Sequence, residues 1–294
     1  MKRTITTGVI RKIVGMMFVL LLLALPSWTF AAQDSRPDTM SGILQSSSLS
    51  KTEKTEVQGR AVAAINAGVP AEDVEIIVSR SIRRGADAAT INRFLDTGIS
   101  IRRQGLPVTP VLDRIEQGLS KGVPPERIAV AAQQLASKIT VAQPIVDDLI
   151  RGGVKPRRRN EREAAIEATA RALEKSIPAE DLKKMGASVR ERKESLPLFI
   201  SAANTAAYFA GSGMSSKTSS HLVQNAVEQG YTGRDLDGMV KQIADQMMRG
   251  TRAEDAAVQM ERSGMKGGGM EHDMGGRGGM GHGSGMGGKG GHKK

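Results

Sequence analysis

Between residues 51 and 263, apolar side chains recur at intervals of three and four. Val108, Val111, Leu112, Ile115 and Leu119 form one such run, and Leu236, Met239, Val240, Ile243 and Met247 form another. That spacing places each run on one stripe of a helix that turns every 3.6 residues, with polar positions on the far side. The pattern predicts amphipathic helices, each burying one face.

Punctuation between the runs agrees. Gly68, Gly85, Gly122, Gly230 and Gly250 stand where a chain leaving a helix turns left-handed, and Pro70, Pro107 and Pro178 suit a first turn that needs no amide donor. Acids follow at once. Glu72 and Asp73, Glu126, and Glu180 and Asp181 complement the positive end of a helix, and Thr251-Arg-Ala-Glu254 has capping-box spacing.

The punctuation is also periodic. Gly68-Val-Pro70, Gly105-Leu-Pro107 and Ala142-Gln-Pro144 succeed one another at 37 residues, as do Gly85 and Gly122. The register slips once to 34 residues, where Ser176-Ile-Pro178-Ala-Glu-Asp-Leu echoes Pro70-Ala-Glu-Asp-Val, and the 37-residue step resumes at Gly213 and Gly250. The predicted fold class is all-α: stacked helix-pair repeats of about 34–37 residues, with half-units at 51–67 and 251–263 closing the ends. An α-solenoid and a helical bundle both satisfy the pattern, and the constant period favours nearest-neighbour stacking.

The phrases Gly105-Leu-Pro-Val-Thr-Pro110 and Lys121-Gly-Val-Pro-Pro-Glu-Arg-Ile128 resemble helical-repeat segments of secreted bacterial proteins that have no assigned activity. The resemblance covers about residues 60–150 and implies export and helical repeats. Tetratricopeptide arrays share the period, but their Trp, Gly-Tyr and Ala-x-x-x-Phe landmarks are missing here.

The ends of the chain differ from the middle. Lys2, Arg3, Arg11 and Lys12 precede an apolar run at 13–25 that Pro26 ends, and Thr29-Phe30-Ala31 offers a small-x-small cleavage pattern. This apolar run is too short for the roughly 20 residues that span a bilayer. Residues 1–31 therefore read as a signal peptide and the mature chain as periplasmic or secreted, with no stable membrane span after cleavage; an uncleaved anchor is the alternative. Residues 32–50, rich in Ser, Thr, Asp and Gln, read as a flexible lead-in, 51–263 as the repeat domain and 264–294 as a disordered Gly/Met/His-rich tail.

Composition narrows the chemistry. The chain has no cysteine, which excludes a disulfide scaffold, a thiol enzyme and thiolate metal sites. Its formal charge of +11 falls to +7 once the four cations of the leader are removed, and five cations against two acids put +3 of that on the tail, leaving +4 on the body. Such a body lacks the concentrated basic face of a nucleic-acid binder. Only Phe94, Phe199, Tyr208, Phe209 and Tyr231 remain as aromatics of the mature chain, too few for a stacking platform, so neither nucleic acid nor nucleotide is expected as a partner.

Catalytic patterns are incomplete. Residues 211–218 imitate a phosphate-binding loop, but Ser216 occupies the glycine position and an alanine-rich helical stretch precedes it, so an inter-helix turn is expected. Ser48-Leu-Ser-Lys51 has serine–lysine spacing without the partner motifs. His221 has no acid at a distinctive spacing, and Asp147-Asp148 and Glu180-Asp181 read as solvated or capping charge. Lys155, Arg157, Arg158, Arg159 and Arg162 form one basic cluster, either a grip for an acidic protein or anionic headgroup or a solvated linker beside Glu161 and Glu163. In the tail, 15 of 31 residues are glycine, and Met270, His272, Met274, Met280, His282, Met286 and His292 set thioethers beside imidazoles. Soft sulfur with imidazole suits copper, particularly Cu(I); a soluble low-complexity tail is the other reading. The expected function is an exported, non-catalytic scaffold binding a protein or peptide partner in the envelope, requiring no cofactor, with copper binding by the tail as the alternative.

Overall fold

The structure, a computed structural model, describes residues 36–262, among which there are twelve helices and no strand. The all-α class is therefore the observed one. The described residues divide into two units between residues 137 and 138. The first contains α1 (Arg36–Ser46), α2 (Lys51–Asn66), α3 (Ala71–Arg83), α4 (Ala88–Arg103) and α5 (Thr109–Ser120). The division falls within α6 (Pro125–Arg151). The second unit holds α7 (Glu161–Glu174), α8 (Ala179–Glu191), α9 (Leu196–Gly211), α10 (Ser216–Glu228), α11 (Gly233–Met248) and α12 (Ala253–Arg262).

Helices two apart in sequence lie side by side in both units. In the first, α1 packs on α3, α2 on α4 and α3 on α5; in the second, α7 packs on α9, α8 on α10, α9 on α11 and α10 on α12. A helix-pair period in the sequence becomes an alternate-helix contact in space. The apolar stripes point into these contacts: Val111, Leu112, Ile115 and Leu119 of α5 and Leu236, Met239 and Ile243 of α11 are buried, while Val240 and Met247 are half-buried. The largest fully buried side chains include Phe94, Phe199 and Phe209, each stabilising its unit by about 1.5–3 kcal/mol relative to exposure.

Polar contacts repeat with the same step. The C-terminal cations of three helices reach the end of the helix two further on. Arg84 donates to the Ser120 carbonyl at 3.1 Å, and Arg192 donates to the carbonyls of Val227 and Tyr231. A β-carbon placed on Gly122 would lie 3.4 Å from the Arg84 guanidinium, and one on Gly211 would lie 3.3 Å from Cε of Lys175. Each cation sits where the last carbonyls of a helix lack intrahelical donors and the dipole is negative. Other links have similar sequence separations: Arg60 with Asp96 at 3.2 Å, Ser188 with Glu228 at 3.1 Å and Ser220 with Asp181 at 2.7 Å.

Helix ends follow the sequence signals closely. All five predicted turn glycines have positive φ, for example 71° at Gly85 and 104° at Gly230. At Gly85 the following amide, Ala86, bonds back to the Ser81 carbonyl at 3.0 Å, which closes the turn over the helix end. Ser176 and Lys193 occupy the same position without glycine, at φ 61° and 55°, and their neighbours Ile177 and Glu194 make the matching bonds to Ala172 and Val189. Pro70 and Pro178 are N-cap residues; Pro107 instead lies ahead of α5, whose first turn contains Pro110. Glu254, expected to cap Thr251 locally, accepts from the Ser215 amide at the start of α10.

Two stretches depart from expectation. The lead-in contains α1, because Met40, Ile43 and Leu44 form a short apolar stripe that packs on α2 and α3, with Leu44 buried. The 37-residue register predicts a turn at residues 142–144, yet α6 runs through Pro144 for 27 residues. Proline there removes one amide donor, but Ile139, Ala142, Ile145, Val146 and Leu149 form an unbroken buried stripe, and the first glycines, Gly152 and Gly153, come only at the helix end. Among the described residues no helix is long and apolar enough to cross a membrane.

Candidate functional site

In the second unit the end of α6 and the middle of α8 leave a groove of about 200 Å³. Helical spacing builds its walls. Ile145 and Leu149 stand one turn apart on α6, Leu182 and Gly186 one turn apart on α8, and Phe199 of α9 forms the floor. All five are buried. Gly186 lets the helices approach: a β-carbon there would lie 3.3 Å from Leu149 and 3.6 Å from the Phe199 ring. A glycine inside a helix costs about 0.5–1 kcal/mol relative to alanine, and here it shapes the groove wall.

The rim is charged. Asp148 pairs with Arg151 at 2.8 Å and Lys183 with Glu180 at 2.7 Å. The Glu180 hydrogen bond and charge raise the Lys183 pKa, holding the ammonium protonated. Arg190 lines the groove too, and its guanidinium would lie 3.1 Å from a β-carbon placed on Gly152, the residue after α6. It forms no ion pair among the described residues.

Beyond Gly152 begins the loop that carries the basic cluster. Val154 is buried and anchors it, whereas Lys155, Arg157, Arg158 and Arg159 are exposed. Glu161 accepts from the backbone amide of Arg157. Arg162 departs from the predicted cluster: it donates through Nε and Nη2 to the two carboxylate oxygens of Asp147 at 2.7 and 2.9 Å. That hydrogen bonding raises the Arg162 pKa further and ties the start of α7 to α6. Asp147 is therefore engaged, while its neighbour Asp148 is exposed.

The first unit holds a contrasting hollow of about 320 Å³, lined by Arg80, Arg83, Arg84, Leu119 and Ser120. Two of its arginines are already in use. Arg80 reaches Glu116 at 3.4 Å and the Ser120 hydroxyl at 2.9 Å, and Arg84 reaches the Ser120 carbonyl. Burial pushes the Glu116 carboxyl up despite the Arg80 charge.

The remaining sequence candidates scatter. Residues 212–215 form the turn between α9 and α10, and the Ser215 hydroxyl accepts from the Thr218 amide at 3.1 Å as an N-cap. Ser50 caps α2 through a capping box with Glu53, so the serine–lysine segment is a helix start. His221 is exposed, 3.2 Å from Asn225 and 3.8 Å from Glu261. Met270, His272, Met274, Met280, His282, Met286 and His292 lie outside the described residues. Sequence reasoning missed the groove, since its walls come from segments near 145, 186 and 199 that only the fold brings together. Gly186, alone on an otherwise apolar helical face with Leu182, Met185 and Val189, was the available signal.

Family profiles, curated proteins and solved structures were compared with the chain, and none matches it.

Proposed function

We propose that the protein is an exported, non-catalytic helical-repeat scaffold that binds a protein or peptide partner in the cell envelope. The observation that carries this reading is the groove on α6 and α8, an apolar cleft open at a charged rim on a framework of alternately packed helices. Rigid helices hold such a surface in place without ordering cost on binding. Affinity capture from envelope extract tests it, comparing the full mature chain with a chain ending at Ser263, with and without copper. Reproducible retention of one partner by both forms supports the reading, and retention of nothing contradicts it.

Copper binding by the tail is the second reading, supported by the Met270-x-His272-x-Met274 and Met280-x-His282 spacing. Titration of the two chain forms with Cu(I) and Cu(II) tests it: binding at micromolar metal should follow the tail, and equal titration of both forms would remove this role.

A further inference from the structure

We propose that the groove between α6 and α8, with the basic loop at 152–160, docks an acidic peptide segment of the partner, one apolar side chain entering the groove and flanking carboxylates lying on Arg190 and the loop. This rests on the scaffold reading above and names the chemistry of its ligand.

Size comes first. At about 200 Å³ the groove is smaller than the roughly 300–1,000 Å³ of small-molecule sites and suits a single large side chain. Its accessible wall is formed by Ala187 and the edges of Ile145 and Leu149, backed by the fully buried Leu182 and Phe199, so it selects an aliphatic or aromatic group.

Charge then selects what surrounds that group. Asp148 and Lys183 are paired on the helices that bear them, so the charge left unpaired at the rim is the Arg190 guanidinium. Arg190 lies against Gly152, the first residue of the loop, so groove and loop form one continuous surface. Four more cations follow on that loop: Lys155, Arg157, Arg158 and Arg159 are exposed and form no ion pair among the described residues. Even against Glu161 and Glu163 the loop stays positive, and one Glu161 oxygen is held by a backbone amide. Guanidinium forks match carboxylates in bidentate geometry.

The loop is also held in advance. Val154 is buried at one end and the Asp147–Arg162 pair clamps the other, so little ordering is needed when a ligand arrives. A membrane surface is the competing occupant of a basic loop, but such contact makes no use of an apolar groove, and the exposed part of this loop offers only the small ring of Pro156 to insert, with no large aliphatic or aromatic side chain.

Fluorescence anisotropy with the full mature chain tests the proposal. The probes are labelled peptides with a central leucine, phenylalanine or methionine flanked by three glutamates on each side; the controls replace the central residue by glycine or the glutamates by lysines. At least one apolar-centred acidic peptide should bind saturably, and both controls should bind at least about tenfold more weakly. Neutralising Lys155, Arg157, Arg158 and Arg159 to serine, or filling the groove with Ala187→Trp, should weaken binding by a similar factor. Thermal melts verify that each variant folds. Absence of saturable binding, equal binding of the glycine-centred peptide, or indifference to the loop substitutions overturns the proposal. So does binding to phosphatidylglycerol vesicles, lost in the loop variant, without peptide binding. If the proposal fails while extract capture still retains a partner, the scaffold reading stands with a different surface; if capture fails as well, both fall.

Discussion

Two neighbouring-helix steps, α3 to α5 in the first unit and α6 to α8 in the second, place arginines against the same kind of glycine turn with different results. At α3 to α5, Arg84 lies over Gly122 and donates to the last turn of α5, while Arg80 reaches Glu116 and Ser120. At α6 to α8, Arg190 lies over Gly152 without an ion pair among the described residues, and the space beside it is a groove. The first step uses Arg80 and Arg84 to fasten helices together, while Arg83 forms no ion pair among the described residues. The second leaves Arg190 without an ion pair among the described residues, beside an apolar hollow and an exposed basic loop.

Substitutions at the two steps should separate these roles, beginning with the apolar floor. Phe199 is fully buried, so Phe199→Ala should lower stability by about 3–5 kcal/mol and deepen the groove by removing its floor. Chemical denaturation measures it, and a loss below about 1 kcal/mol would show that the floor is not part of the core.

The arginines give the sharper contrast. Arg84→Ala and Arg192→Ala each leave last-turn carbonyls without a donor from the neighbouring repeat and should cost about 1 kcal/mol. Arg190→Ala should stay within about 0.5 kcal/mol. Equal losses at all three would mean that Arg190 is also a fastener.

Turn residues should act in the opposite direction. Ser176 and Lys193 hold left-handed conformations that cost an L-residue about 1–2 kcal/mol, partly offset by the extra freedom glycine has when unfolded. Ser176→Gly and Lys193→Gly should therefore each stabilise by up to about 1 kcal/mol, seen as a higher midpoint of unfolding. Gly85→Ala and Gly230→Ala, at φ 71° and 104°, should do the reverse.

The smallest effect concerns pH. Hydrogen bonds from Thr90 and Thr232 hold the Asp87 and Asp235 carboxyls below the usual carboxylate range. A depressed carboxylate contributes stability that is present above its unfolded pKa, about 4, and is lost as pH falls through its folded value. Burial pushes Asp73 and Glu116 up, which has the opposite sign: their contribution is present at low pH and lost as pH rises through their folded values. Melting of Asp235→Asn should thus depend less on pH below about 4 than wild type, whereas Asp73→Asn, which removes a carboxylate that burial disfavours and no cation among the described residues pairs, should raise stability near neutral pH. An unchanged pH profile in either variant contradicts these assignments.

The repeat was readable because its signals are local. Glycine after an apolar stripe and proline with acids before one describe a helix end whatever packs on it, so the stripes at Val111–Leu119 and Leu236–Ile243 and the turns at Gly85 and Gly230 lie where the pattern puts them. Errors arose where tertiary burial outweighed a local signal. Pro144 resembles its counterparts at 70 and 107, but the buried stripe from Ile139 to Leu149 carries α6 past it. Leu44 recruits a polar lead-in into a helix, and Lys193 turns without glycine because the same closing hydrogen bond forms as at Ser176, where the repeat had marked the turn. The candidate site was half visible: charge patterning marks the loop, but nothing in the order of residues reveals that Arg162 would leave it for Asp147 or that Phe199 would floor a groove beside Leu149.

The central claim is that cations of similar chemistry fasten helices at one place and receive a ligand at another. Binding of the acidic, apolar-centred peptide to Arg190→Ala and Arg192→Ala, measured beside their thermal melts, tests it most directly. The account predicts that Arg190→Ala weakens binding at least about threefold with an unchanged melt, and that Arg192→Ala lowers the melting temperature with binding intact below the transition. Loss of stability without loss of affinity at Arg190, or equal behaviour of the two variants, would contradict it.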